Sequence, residues 1–308
     1  MSELTLKTSL LGFEMNSPLM GASGTYGYGV EYADMVPSRK LGAVCGKGLT
    51  LHGQYGNEGT RLHETPSGMM NSIGLQNPGV RHFMEVELPE MERVLRPEGV
   101  VLIANLGGHS EEEYEEGAAL LSTSGVDIVE LNISCPNVKQ GGMVYGVKAS
   151  AASQVVAQVR KACTKPLMVK LSPQAEDIAE MCKAVEAAGA DAISLTNTFQ
   201  GCAIDLNTRR PVFNNIFAGL SGPAIRPLAL RMVWQAVGAV NIPVVGLGGI
   251  ATGRDALEFI MAGAAAVQVG AANFVDPRSI GRIYDEMAAW MEANGVKSLE
   301  EIRGCARG

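Results

Sequence analysis

The sequence predicts an α/β protein, a (β/α)8 TIM barrel with a short N-terminal β-hairpin and loop insertions at the C-terminal rim. Three observations predict it. Short, continuous apolar runs of strand length recur along the 308 residues, amphipathic segments of helical length separate them, and the runs end on polar residues or glycine. Continuous apolar runs mean a sheet buried on both faces, and therefore parallel strands joined by helical crossovers. Eight such units in a chain of this length suit a closed barrel. A doubly wound open sheet is the competing arrangement. No Pro/Gly/Ser-rich linker and no step in charge divides the chain, so residues 1–308 read as one domain.

The elements follow in order. Leu4 to Phe13 alternates apolar and polar residues, which predicts an antiparallel pair ahead of the first barrel strand, Pro18 to Ala22. Strand two is Ala43 to Lys47, three Val101 to Asn105, four Ile128 to Ile133, five Leu167 to Leu171 and six Ala192 to Thr196. Seven is Val244 to Leu247 and eight Ala266 to Val269. Helical periodicity covers Ser110 to Ser122, Ser150 to Cys163, Ala175 to Ala188, Arg226 to Val237 and Arg254 to Ala262. Pro277 to Met291 reads as a closing helix, with Asp276 as its cap and Pro277 in its first turn.

Composition narrows the function. A hydrophobic content of 46% with only 5% aromatic residues fits an aliphatic α/β core. Lys and Arg number 25 against 32 Asp and Glu, a net charge of −7 with no basic run, so nothing attracts nucleic acid or an acidic membrane surface. The N-terminus lacks the basic and apolar regions of a signal peptide, and no run reaches the length of a membrane span, so the expected location is the cytosol. Six cysteines without a C-x-x-C pair and four histidines without H-x-x-x-H spacing argue for reduced thiols and against a zinc site.

In a barrel the chemistry sits at the C-terminal strand ends. Here those ends are Lys47-Gly48, Asn105, Asn132 with Cys135 just beyond, Lys170 with Ser172, and Thr196-Asn197-Thr198. Each alone could be a solvated loop residue, and Cys135 a small core hydrophobe. Together they are too polar for core filling. The loop after Cys135, Val138 to Gly146, carries Gly141-Gly142 and Gly146 and suits a flap over the site.

Strands seven and eight end in Gly248-Gly249 and Gly270-Ala271, where backbone N–H groups can approach an anion, and Thr252 opens a helix whose dipole would favour negative charge. That is where barrels commonly hold phosphate. Gly246-x-Gly248-x-x-Ala251 also meets the loose dinucleotide fingerprint, but the following strand ends without the Asp or Glu that would hold a ribose. A phosphate grip, rim lysines, asparagine amides and a strand-tip thiol together suit flavin mononucleotide (FMN) beside a small planar substrate.

The motifs Asn132-Ile133-Ser134-Cys135-Pro136-Asn137, Glu64 to Gly79 and Leu220-Ser221-Gly222-Pro223-Ala224 resemble those of class 1 dihydroorotate dehydrogenases, the flavin enzymes of pyrimidine biosynthesis. The resemblance runs from about Leu4 to Met291. Gly48-Leu49-Thr50 with Gly56-Asn57, and the form Leu75-Gln76-Asn77-Pro78, look closest to class 1B. In that class the catalytic chain forms a homodimer inside a heterotetramer and passes electrons to a partner subunit with FAD and a 2Fe–2S centre, and so to NAD+. The resemblance implies FMN contacts from Ser23, Lys47, Gly48, Asn105, Asn132, Lys170, Thr196, Gly222, Gly248, Gly249, Gly270 and Ala271. It implies dihydroorotate contacts from Lys47, Asn71, Ser72, Ile73, Gly74, Leu75, Asn132, Asn197 and Thr198, with Cys135 as the base and Lys47 bridging substrate and flavin. Ala271 departs from the family, which usually has Thr there, so one hydroxyl near the phosphate is absent. Three alternatives stand beside this reading: a class 1A enzyme using fumarate, a dihydropyrimidine dehydrogenase-like enzyme, and a non-catalytic phosphate-binding barrel.

Overall fold

A computed structural model describes residues 4–134 and 145–308. Eight parallel strands close into a barrel: β1 (Leu19–Gly21), β2 (Ala43–Cys45), β3 (Val101–Leu106), β4 (Ile128–Asn132), β5 (Leu167–Lys170), β6 (Ala192–Leu195), β7 (Val244–Leu247) and β8 (Ala266–Val269). Each strand pairs with its neighbours in the sequence, and β8 pairs back onto β1. All eight apolar runs of the sequence are therefore barrel strands.

Helices pack on the outer faces: α1 over residues 80–94, α2 (Glu111–Ser122), α3 (Ala149–Ala162), α4 (Ile178–Ala187), α5 (Arg226–Val237), α6 (Gly253–Met261), the short α7 (Ala272–Val275) and α8 (Ser279–Ala293). Their starts follow local chemistry. Ser110 accepts from the N–H of Glu113, and Asp177 from that of Glu180, each satisfying a donor that the first helical turn leaves free. The closing helix begins two residues later than expected. Asp276 ends α7 instead of capping α8, which starts at Ser279, although the Asp276 carboxylate does accept from the N–H of Arg278. No helix among the described residues is long and apolar enough to cross a membrane.

The barrel interior is layered because strand side chains alternate between faces. Lowest lie apolar residues: Met20, Ala43, Cys45, Val101, Ile103, Ile128, Met168, Ala192, Val245 and Ala266. The N-terminal hairpin, expected over Leu4 to Phe13, forms later, as Thr8–Leu10 with Phe13–Met15, and covers this end by adding Leu10 and Met15 to the same cluster. Its two-residue turn is Leu11-Gly12, both at positive φ (53° and 86°), the conformation whose twist matches antiparallel strands. Two residues further along the strands the inward positions are Asn105, Glu130, Lys170, Ser194 and Gln268, all buried. Another step of two reaches Lys47, Asn132, Ser172, Thr196 and Gly270, at the C-terminal mouth.

Above that mouth lies a feature that sequence periodicity did not indicate. Four antiparallel strands, in the order Phe199–Cys202, Phe217–Ser221, Gly68–Asn71 and Leu62–Thr65, form a separate sheet with a small core of Met70, Phe213 and Ala218. They supply the rim insertions.

Candidate active site

Between strand tips and capping sheet lies a cavity of about 890 Å³. Lys47, Gly48, Ser23, Asn105, Asn132, Lys170 and Thr196 line its floor. Gly222, Gly248, Gly249, Gly270 and Ala271 line one side, and Asn71, Ser72, Ile73, Gly74, Leu75, Asn197 and Thr198 line the side under the sheet. Every sequence-expected site residue that is described thus faces one space. Cys135 lies outside the described residues; its neighbour Ser134 lines the cavity.

The floor is built on Glu130, which sequence reasoning passed over as part of an apolar strand. Its carboxylate is fully buried and accepts from Asn105 Nδ2 (2.6 Å), Ser194 Oγ (2.7 Å), Gln268 Nε2 (2.6 Å) and Cys45 Sγ (3.1 Å). Lys170 Nζ stands 3.6 Å from Oε2. Burial by itself would raise the carboxyl pKa, but Lys170 and the hydrogen bonds from Ser194, Cys45 and Gln268 outweigh it and hold the group below the usual glutamate range. The same surroundings push the Cys45 thiol well up, through burial first and Glu130 second. The available signal was an acid inside Ile128-Val129-Glu130-Leu131, since a buried charge persists only when it is paired and hydrogen-bonded.

From Glu130 a chain of amides runs across the floor. Asn132 Nδ2 donates to Asn105 Oδ1 (3.5 Å), Asn197 Nδ2 donates to Asn132 Oδ1 (3.4 Å), and Asn197 Oδ1 accepts from the N–H of Thr198 (2.8 Å). The N–H of Ser134 also reaches Asn132 Oδ1 (3.2 Å). Both ends have fixed polarity, because an ionised carboxylate only accepts and a backbone N–H only donates. The direction of every amide between them follows.

The two lysines differ. Lys170 is paired with Glu130, whereas Lys47 has no ion pair or hydrogen bond among the described residues. Burial lowers the Lys47 pKa. Gly48 beside it leaves room for Asn105: a Cβ there would come within 2.9 Å of Asn105 Oδ1.

On the opposite side, the N–H groups of Gly249, Gly270 and Ala271 have no partner among the described residues. Gly248 and Gly249 hold φ of 127° and 76°, which L side chains rarely adopt. Thr196 Oγ1, buried where the floor meets Gly248, is also without a partner among the described residues. One expectation is corrected. The N-terminus of α6 is not an anion grip, because Asp255 Oδ2 accepts from the N–H groups of Ala251 and Thr252, and Glu286 from that of Gly253. One carboxylate of α6 itself and one from α8 occupy it.

The turn over residues 71–75 is braced from outside. Asn57 Nδ2 donates to Ser72 Oγ (3.0 Å), the N–H of Asn57 to Ile73 O (2.9 Å), and Asn71 Nδ2 to Gly219 O of the capping sheet (3.3 Å). His109, hydrogen-bonded to Gln54 at 2.7 Å, also lines the cavity and was not expected there.

A parallel barrel with two lysines, directed amides and free backbone donors at its C-terminal mouth defines a TIM-barrel enzyme whose site receives an anionic ligand. The chain belongs to the dihydroorotate dehydrogenase family, whose model matches residues 5–291. It is 51% identical over 298 residues, 97% of this chain and 98% of the relative, to "Dihydroorotate dehydrogenase B (NAD(+)), catalytic subunit" of Petrotoga mobilis. Proteins of the same name from Porphyromonas gingivalis and Thermoanaerobacter pseudethanolicus are 48% and 46% identical, covering 95% and 98% of this chain and 94% and 98% of their own lengths.

Proposed function

We infer that the chain oxidises dihydroorotate to orotate in pyrimidine biosynthesis, as the catalytic subunit of an enzyme that reaches NAD+ through a partner subunit. The observation that carries this reading is the pairing, in one cavity, of an unneutralised Lys47 with the directed amides Asn132 and Asn197, a set suited to a small ring bearing a carboxylate and carbonyls. Relatives that share this name and match nearly the whole length support it.

The cofactor is a flavin, and we propose FMN. The fit rests on the wall opposite the amides: the free N–H groups of Gly249, Gly270 and Ala271, with Gly222 and Gly248 beside them, suit a terminal phosphate, and the orphaned Thr196 Oγ1 offers one more polar contact. Ala271 contributes only its backbone there. Ser23, Gly48, Asn105, Asn132 and Lys170 would bound the ring system. Bound there, the flavin supplies the acceptor for a hydride from C6 of the substrate.

The chain's own residues do the rest. Cys135 takes the proton from C5, next to a ring carbonyl. Lys47 binds the carboxylate and the flavin edge, orienting the two and offsetting charge on both. Asn132 and Asn197 direct the spare hydrogens of their amide groups at ring acceptors, and the turn from Asn71 to Leu75, with Thr198, closes on the carboxylate side.

The same proposal has residues 1–308 acting as one domain in the cytosol, as a homodimer within a heterotetramer whose partner carries FAD and a 2Fe–2S centre. The test is co-expression with the partner. The isolated chain should be yellow and reduce artificial dyes with dihydroorotate, and gain NAD+ reduction only in the complex. A colourless preparation would sink the flavin assignment, and efficient fumarate turnover without a partner would move it to the class 1A alternative.

A further inference from the structure

We propose that Glu130 is a positioning residue for the flavin site: its buried carboxylate holds Lys170 and Asn105 in one arrangement and offsets one of the two lysine charges at the cavity floor. The proposal rests on the flavin reading above.

Glu130 is 0% exposed, and its two oxygens divide the work. Oε1 takes Ser194 and Gln268 from the walls of β6 and β8. Oε2 takes Asn105 and Cys45, and faces Lys170 Nζ. One carboxylate thus ties together β2, β3, β5, β6 and β8 at the level just below the cavity. Lys170, only 5% exposed, lines the cavity, and no other acid among the described residues pairs with it. With Lys47 unpaired, the floor carries two ammonium groups and one carboxylate, a net single positive charge. Without Glu130 it would carry two, in a setting where charges are poorly screened.

The amide directions also start here. Because Oε2 can only accept, Asn105 must point Nδ2 downward and Oδ1 toward Asn132, which fixes Asn132 and then Asn197. Glu130 does not line the cavity. It acts through the groups that do.

The structure offers a substitution that separates charge from shape. In Glu130→Gln the new amide can keep its oxygen toward Asn105 and turn its NH2 toward Ser194 and Gln268. Gln268 can receive it by rotating its own amide, since its Oε1 has no partner among the described residues. The hydrogen-bond pattern survives and only the charge is lost. Removing a negative charge near the flavin favours the more negative reduced form. In a redox titration against a dye, E130Q should retain FMN, and its ratio of reduced to oxidised flavin at fixed poise should rise by at least about tenfold, as expected for a unit charge within about 12 Å at an effective dielectric of about 20. In Glu130→Met the acceptor is lost as well. FMN and orotate affinity should then fall by about tenfold relative to E130Q, the size expected when a buried donor, here Asn105 Nδ2, is left without its acceptor.

An unchanged flavin potential in E130Q overturns the proposal, and so does an E130M protein that binds FMN and orotate normally. If E130M fails to fold, the E130Q potential alone decides. The flavin reading fails separately: it falls if the unsubstituted chain holds no flavin or if dihydroorotate does not bleach it.

Discussion

The two mouths of the barrel are lined by the same eight strands and share nothing else. At the N-terminal mouth the inward residues are Met20, Ala43, Val101, Ile128, Met168 and their neighbours, closed by Leu10 and Met15 of the hairpin. Two positions further along the strands the inward residues are an acid, a lysine, an asparagine, a serine and a glutamine. The apolar layer needs no partner and gains by losing water. The polar layer is tolerable only because each group answers another. Stability therefore concentrates at one end and chemistry at the other, and substitutions at the two ends should fail in different ways.

The largest effect belongs to the C-terminal mouth. Cys135→Ser should keep its FMN yet slow flavin reduction on the order of 10²- to 10⁴-fold, the usual size of a general-base contribution. The rate of the unsubstituted chain should climb as pH approaches about 8.5, where an ordinary thiol ionises. Stopped-flow flavin reduction at near-normal rate in the serine variant would remove the thiol from this role.

At the other end, Met15→Ala should cost about 2–5 kcal/mol of stability, as large-to-small changes in a buried cluster do. Its orotate affinity and flavin spectrum should stay unchanged. A loss of affinity matching the loss of stability, measured by denaturation beside orotate titration, would mean that the mouths are not independent.

Lys47→Ala returns to the cavity with a smaller effect. Losing one charged hydrogen bond is worth about 1.5–3 kcal/mol, so orotate should bind roughly 10- to 150-fold more weakly and flavin reduction should slow with it. If FMN retention alone changed, the bridging role would be wrong.

The smallest effect is one of pH. Burial lowers the Lys47 pKa, so in the free protein its protonated form costs stability below the folded pKa. That cost disappears as pH rises from the folded pKa to the unfolded value near 10.4. Anion binding needs the protonated form. Orotate affinity should therefore begin to fall at a lower pH than an ordinary lysine would dictate, which isothermal titration across alkaline pH would read. An affinity flat to pH 10.4 would contradict it.

How much of this was legible depended on burial. All eight strands could be read because both faces of each are covered and the runs are apolar throughout. The capping sheet could not: Phe199-Gln200-Gly201-Cys202 and Phe217-Ala218-Gly219-Leu220-Ser221 are short, mostly only partly buried and glycine-containing, so their apolar residues are too few to show a period. The helix over residues 80–94 was hidden by Pro89. A π-helical turn, Phe83–Glu87, precedes the proline, which falls in the first turn of Leu88–Val94, so the helical path survives a residue that should have broken it. The lysines and asparagines of the site stood out as polar endings to apolar runs. Glu130 did not, because it lies inside its run, and its meaning depends on five side chains from other strands that only the barrel's register brings together.

The hairpin plug has one more consequence. It closes the lower end of the barrel axis, so molecules entering from above do not leave along it. Dihydroorotate and orotate then share the one cavity, and orotate should compete with its own precursor. Electrons are under no such rule, since they can leave through the flavin edge to a docked partner while orotate is still in place. Matter and charge thus depart by different routes, and reoxidation by the partner should proceed at an undiminished rate with orotate bound.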